Sequence, residues 1–310
     1  MPLNEGGSQA RQNGIAFALM RTCVFCGGFP LTVEHVFPQW LRQFAAPQAF
    51  IQRKGSYQAP FRQTVVRKNS QGTYVKVDEA RGTRTPNVHE VKVKSVCAAC
   101  NNGWMSRLET SVKPILRKMA KKTPPMPHLV SPEGKLYLAA WVYKCLLMYD
   151  QYLPVEDRVF VDEDFTSFMK TRRPPSSARI YMGITNSPWS TVSIWHQPHR
   201  LVLDAGTDPQ AALAQPNNTA SSFLGIEGIY FIQQYFKPDL PWNADNRYIW
   251  LDAQRGVDAT PAKLIWPADN KPLNWPPPLT PFLKTEAARL ALYQVIGSLR
   301  DLADWEKPLE

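Results

Sequence analysis

The chain has 310 residues, 44% of them hydrophobic, and carries 36 lysines and arginines against 26 acidic residues, a formal net charge of +10. That length predicts two domains or one domain with an appendage, and the apolar content can fill a real core. The charge is not spread evenly: residues 51–122 hold 16 basic and four acidic side chains, whereas residues 123–310 hold 17 basic and 20 acidic. A confined positive field points to a polyanionic partner, whereas an evenly basic surface could be only a solubility device.

In chain order, "MPLNEGGSQARQNGIAFALM" (1–20) contains a six-residue apolar stretch and no small-residue cleavage site. It reads as a flexible lead-in, not as a signal peptide. "RTCVFCGGFPLTVEHVFPQWLRQF" (21–44) reads as a cysteine knuckle, a short strand around Leu31–His35 and a helix opened by Pro38 at its first position. Residues 50–96 have β character. "TVVRKNSQGTYVKV" places two β-rich runs about a Gly-containing turn, and "VHEVKVKSV" alternates valine with lysine. From Gly103 the spacing of Trp104, Leu108, Val112, Ile115 and Met119 marks one face of a helix, with a kink expected at Pro114.

"KKTPPMPH" (121–128) is a Pro-rich break and the expected domain boundary. It separates a first domain at 21–122, with a basic insertion at about 45–95, from a second at 128–310. Leu136–Tyr149 is apolar except for Lys144 and reads as a buried central helix, too short and interrupted to span a bilayer. "ARIYMGI", "STVSIWH", "RLVLDAG" and "GIYFIQQYF" read as strands, "LIWPADNKPLNWPPPLTP" as loops, and Leu283–Trp305 as a final helix. The expected fold class is α+β.

Of the five cysteines, Cys23, Cys26, Cys97 and Cys100 form two CxxC pairs, the arrangement of a metal site and not of a secreted disulfide framework. Each pair brings two thiolates to one tetrahedral ion, and two pairs close a structural four-cysteine zinc site with no open position for chemistry. Cys145, inside the apolar helix, reads as core. With no membrane span expected and reduced thiols, the expected setting is the cytoplasm.

Chemistry must therefore come from other residues. Glu34 and His35 stand together between the two knuckles. A histidine near its ordinary pKa can take a proton from water, and a carboxylate beside it can hold a divalent cation. Asn101, directly after the last zinc cysteine and at the start of the following helix, offers an amide oxygen to the same cation. The order Cys-x2-Cys, then Glu-His with a nearby Pro, then Cys-x2-Cys-Asn resembles the HNH or His-Me finger (ββα-metal) endonucleases. It is most similar to the branch in which a zinc-binding treble clef supports the active site, as in phage endonuclease VII. The string "CVFCG…LTVEHVFPQWL…VCAACNNGWMSRLE" also resembles uncharacterised bacterial HNH-endonuclease-like proteins, which implies a setting in bacterial or phage defence or mobile-element biology.

The resemblance covers about residues 21–120. It implies a zinc-stapled treble-clef/ββα-metal domain followed by an α+β domain of unknown role. It implies His35 as general base, Glu34 and Asn101 as ligands of catalytic Mg2+ or Mn2+, and hydrolysis of phosphodiester bonds in nucleic acid, with DNA as the leading substrate. Three departures stand out. Glu34 takes the place of an Asp, the interval from His35 to Asn101 is long, and the family's middle Asn has no clear counterpart, Asn87 and Asn102 being weak candidates. The alternative from another class is a non-catalytic zinc module that binds nucleic acid or a protein.

Arg67, Lys68, Lys92, Lys94, Arg117 and Lys118 are the candidate phosphate contacts. "WHQPH" sets His196 and His199 three apart, which allows a metal pair, but Pro198 between them favours a loop.

Overall fold

The computed structural model describes residues 21–44, 59–68, 74–84, 91–120, 128–184, 193–202, 216–237 and 263–276, with strands 59–68 and 74–84 described by their backbone. The lead-in at 1–20 and the final helix expected at Leu283–Trp305 lie outside the described residues. In chain order the strands are β1 (Leu31–His35), β2 (Ala59–Lys68), β3 (Tyr74–Arg84), β4 (Lys92–Cys97), β5 (His128–Val130) and β6 (Arg179–Ile184). They continue with β7 (Ser193–Val202), β8 (Thr219–Ile226), β9 (Ile229–Phe236), β10 (Lys263–Trp266) and β11 (Leu273–Trp275). The longer helices are α1 (Ser106–Ala120), α2 (Pro132–Asp150) and α3 (Asp162–Thr171). Mixed helices and sheets make the fold α+β, as the sequence predicts.

β1 and β4 pair antiparallel, with Leu31 opposite Cys97 and His35 opposite Lys92, and a register irregularity between Thr32 and Glu34. The helix expected after Pro38 is a 3-10 turn over Gln39–Phe44 that buries Leu41 and Phe44. α1 buries Leu108, Val112, Leu116 and Met119 along one face, as its 3.6-residue spacing demands, and runs continuously through Pro114. α2 begins at a capping Ser131, whose Oγ accepts the Gly134 N–H at 3.0 Å, with Pro132 at its first position. Lys135 through Asp150 are almost all buried, which is why the α2 sequence is apolar on every side.

The large sheet runs in the order β10-β6-β9-β8-β7-β2-β3. Its pairings are antiparallel except for β2 with β7. The basic β2–β3 hairpin, Lys68 opposite Tyr74, thereby extends a sheet built mostly from later residues. β8 and β9 are buried along their whole length and are joined by Glu227–Gly228, both at positive φ (45° and 80°), a geometry that suits a two-residue hairpin.

Three further local expectations are corrected: "LIWPADNKPLNWPPPLTP", read as loops, contains most of β10 and the whole of β11. "WHQPH" is strand and not loop, and "STVSIWH" and "RLVLDAG" share the single strand β7. Proline is tolerated because β2 pairs β7 only at Arg200–Val202, so at Pro198 a neighbour, Ala220 of β8, lies on one side alone. His196 is held in a buried polar chain. Its Nδ1 lies 2.7 Å from Ser222 Oγ and its Nε2 3.2 Å from Asp150 Oδ1. That carboxylate also accepts the Val159 and Phe160 N–H groups at 3.1 and 3.3 Å. These bonds give His196 a structural role, since both ring nitrogens are engaged.

One hydrophobic core runs from Cys23 to Trp275. Phe25 in the first knuckle meets Trp104 (5.0 Å between ring centroids) and Phe165 of α3 (5.5 Å), and Trp40 meets Trp141 of α2 (6.1 Å). Residues on either side of the Pro-rich 121–128 segment thus pack on one another.

Candidate metal and catalytic site

The first knuckle turns because Gly27 adopts φ 71°, a left-handed conformation open to glycine at little cost. Its turn is closed by Cys23 N–H to Gly28 O and Gly27 N–H to Cys23 O, at 2.9 and 2.8 Å. The second follows β4 directly, as a short helical turn at Ala98–Cys100 for which Cys97 is the N-cap. The β1–β4 pairing brings the knuckles together, and the four sulfurs of Cys23, Cys26, Cys97 and Cys100 lie within 4.8 Å of one another.

The fit to a metal can be judged on geometry. Zinc–sulfur bonds of ~2.3 Å in a tetrahedron require sulfurs about 3.8 Å apart, and Cys26 Sγ stands 3.5 Å from Cys97 Sγ. Backbone N–H groups point at the sulfurs, Gly28 at Cys26 (3.4 Å) and Cys100 at Cys97 (3.5 Å). A Cβ on Gly28 would come within 3.2 Å of Cys26 Sγ, so glycine keeps the turn open. Burial opposes ionisation of Cys97, but the Cys100 N–H and the Cys26 and Cys23 thiols outweigh it and bring it to about 7. Burial pushes Cys26 and Cys100 up. This four-cysteine cluster could hold a zinc ion, and it is the one group of three or more such side chains gathered among the described residues.

Immediately beyond Cys100 the helix is interrupted. Asn101–Met105 is a π-type turn, with Gly103 at non-helical φ/ψ, before α1 proper. The turn sets the Asn101 side chain toward β1, where its Nδ2 donates to Thr32 Oγ1 at 3.2 Å and where the amide lies near enough to Glu34 to pull its carboxyl down. Thr32 Oγ1 in turn donates to Val96 O at 3.0 Å, tying the group to β4. Two of the residues predicted to share a cation, 67 positions apart in the chain, are therefore neighbours. Burial raises the Glu34 carboxyl above its usual range. Lys144 pulls it down, Glu109 pushes it up, and bonds from Asn101 and the His35 N–H pull it down again.

His35 sits in different surroundings. Neighbouring residues of a strand point to opposite sides, and the His35 imidazole lies by the Gln39 side-chain amide, whose nitrogen is 3.4 Å from both ring nitrogens. Burial lowers its pKa, and the nearby charges of Lys92 and Arg42 lower it further, so the ring is a neutral proton acceptor at physiological pH.

Sequence reasoning missed Thr32, Glu109, Arg42 and Gln39 as neighbours of these groups, and found Lys144 only as the polar exception in an apolar helix. Glu109 of α1 accepts from Lys144 Nζ of α2 at 2.8 Å. Of the predicted phosphate contacts, Lys92 and Lys94 are exposed on one face of β4 while Val91 and Val93 are buried, and Arg117 and Lys118 are exposed on α1. Arg117 donates to Gln43 Oε1 at 2.7 and 3.0 Å. Arg67 and Lys68 lie in β2, and their side chains are outside the described residues.

No family model, curated protein or solved structure matches the chain. Among the described residues no helix is long and apolar enough to cross a membrane.

Proposed function

We propose that the chain is a divalent-cation-dependent endonuclease of the HNH kind, hydrolysing phosphodiester bonds in nucleic acid, with DNA as its substrate. The observation that carries the reading is the meeting of Glu34 and Asn101 beside Thr32, one residue past the four-cysteine cluster. A carboxylate and an amide oxygen are oxygen donors suited to Mg2+ or Mn2+. Such a cation, when bound, neutralises charge on the scissile phosphate and the leaving 3′-oxygen.

In this reading His35 takes a proton from water, the resulting hydroxide attacks phosphorus, and the bond to the 3′-oxygen breaks. In-line displacement places attacking and leaving oxygens on opposite sides of phosphorus, so the base and the cation must reach it from opposite sides. Lys92 and Arg42 flank His35 and supply positive charge for the phosphate, while Lys94, Arg117 and Lys118 extend the basic surface. The zinc bound by Cys23, Cys26, Cys97 and Cys100 has a structural role.

The test is incubation of the purified protein with supercoiled plasmid and Mg2+ or Mn2+, beside His35→Ala. Nicking by the wild type that the variant lacks supports the reading. Salt-sensitive DNA binding with no cleavage under any divalent ion refutes it and favours the non-catalytic zinc module.

A further inference from the structure

The β2–β3 ribbon holds six basic residues, and its register sorts them by face. Opposite residues of an antiparallel pair share a face, and successive residues alternate between faces. Arg62 stands opposite Arg81, Val66 opposite Lys76 and Lys68 opposite Tyr74, so four of the six lie on one face. Glu79, opposite Thr64, is the acidic residue on that face. The other face is mostly apolar (Phe61, Val65, Val75, Ala80), with Arg67, Arg84 and Asp78 as its charged positions. Strand β7 shows which face is which. His196 bonds Asp150 at the end of α2, so its face of the sheet is the one that α2 covers. Arg200 and Val202 share that face by alternation, and they pair Val65 and Arg67. The apolar face of the ribbon therefore continues the α2 side of the sheet, and the basic face continues the reverse side. Like charges directly opposite one another destabilise a sheet. An anion relieves the Arg62–Arg81 pairing, and the fold does not.

We propose that the basic face of the β2–β3 ribbon is a docking surface for duplex nucleic acid, separate from the cation site. A two-stranded ribbon fits the major groove of a duplex. The ten residues of β2, at ~3.4 Å each, run about one turn of the double helix. A single strand would instead call for aromatic side chains on which its bases stack, and the basic face has one such residue, Tyr74, at the end where the hairpin reverses. A duplex held there stays close to the molecule without touching Glu34, His35 or Asn101, so the proposal does not depend on those residues cutting it.

The test compares charge removal on the two faces, read by fluorescence anisotropy of a labelled DNA duplex on zinc-loaded full-length protein with no Mg2+ or Mn2+ added. Arg62→Gln and Lys76→Gln each weaken binding by on the order of fivefold at physiological salt, the share of one phosphate contact. Each also lowers the slope of log affinity against log salt by about 1. Arg67→Gln removes the same charge from the same strand but from the other face. Distance and screening leave it within about twofold of wild type.

Equal losses in Arg67→Gln and Arg62→Gln mean a diffuse positive field and overturn the proposal. So does a wild type that binds no duplex, or one that holds a single strand of the same sequence as tightly as the duplex. Arg62→Gln relieves a like-charge pair, so its melting temperature stays at or above that of the wild type. If it fails to fold, Lys76→Gln against Arg67→Gln decides by the same rule. Nicking separates this idea from the nuclease reading. A wild type that binds duplex with this pattern yet never nicks plasmid keeps the ribbon proposal and removes the nuclease. Nicking with the same KM in Arg62→Gln and wild type overturns the ribbon proposal and leaves the nuclease.

Discussion

Replacing Asn101 by alanine separates the four-cysteine cluster from the proposed cation site, which one peptide bond joins. The side chain donates to Thr32 Oγ1 at 3.2 Å and makes no hydrogen bond to the four thiols. A half-buried hydrogen bond contributes about 1 kcal/mol net, so the variant loses about 1 kcal/mol and a few degrees of Tm. The π-type turn is defined by backbone bonds, among them Ser106 N–H to Asn101 O, and these survive the change. Zinc content, measured by plasma mass spectrometry, therefore stays at the wild-type value. Cation-dependent nicking falls by at least tenfold, the loss expected even when a residue that only supports a metal ligand is removed. Excess Mn2+ restores part of it. Asn101→Ala protein that nicks within twofold of wild type at the same Mn2+ concentration would falsify the assignment of Asn101 to the cation. Loss of zinc together with activity would show instead that the side chain serves the cysteine cluster.

Two further outcomes follow from the charges and the shared core. His35 must be neutral to take a proton, and burial with Lys92 and Arg42 holds its pKa below the ordinary 6.5. Nicking rate should therefore rise with pH through a midpoint under 6.5. Lys92→Gln removes a charge that disfavours the imidazolium and should move that midpoint upward; a midpoint that stays fixed in the variant rules out His35 as the titrating base. Purified protein should carry about one zinc per chain, as two closing CxxC loops require. Because Phe25 packs against both Trp104 and Phe165, Cys97→Ser should lower the melting temperature of the described core in one cooperative transition by calorimetry. Two well-separated transitions would show that the knuckles fold apart from α3.

The sequence was legible where a local signal and the tertiary demand agreed. β1 falls on Leu31–His35 because β-rich residues lie between a Gly-Gly-Phe-Pro turn and Phe-Pro. α2 is legible because burial on all sides leaves no polar face to disguise it. The zinc cluster is legible because CxxC spacing carries its own geometry. The misreadings have a common cause, a partner distant in the chain. Pro198 reads as a break until β8 supplies a neighbour on one side alone. β8 itself, "TASSFLGI", went unread because its central serines look like a turn; Ser222 is instead the partner of a buried histidine. α3 had a usable signal in its acidic first turn and in Phe165 and Phe168 at helical spacing, and Asp164 caps its start by accepting the Val161 N–H at 2.9 Å.

The candidate site shows the same division between local and distant information. Residue types named Glu34, His35 and Asn101 as reactive, but only pairing decides which of them meet. In the β1–β4 register Leu31 faces Cys97 and Thr32 faces Val96, so the cysteine cluster closes the end of the hairpin next to the residues that receive Asn101. The Thr32–Val96 bond and the Thr32–Asn101 bond then share one hydroxyl, which links strand register to the position of the amide. A shift of β4 by one residue would turn Val96 and Cys97 to the wrong faces together. It would separate the thiols and draw Asn101 away from Glu34 in the same step. Zinc binding at the cysteines would thus constrain the proposed cation site without contacting it. What the hairpin cannot supply is the positive charge that pulls the Glu34 carboxyl down, and that comes from Lys144, carried by a helix that begins thirty-one residues after Asn101.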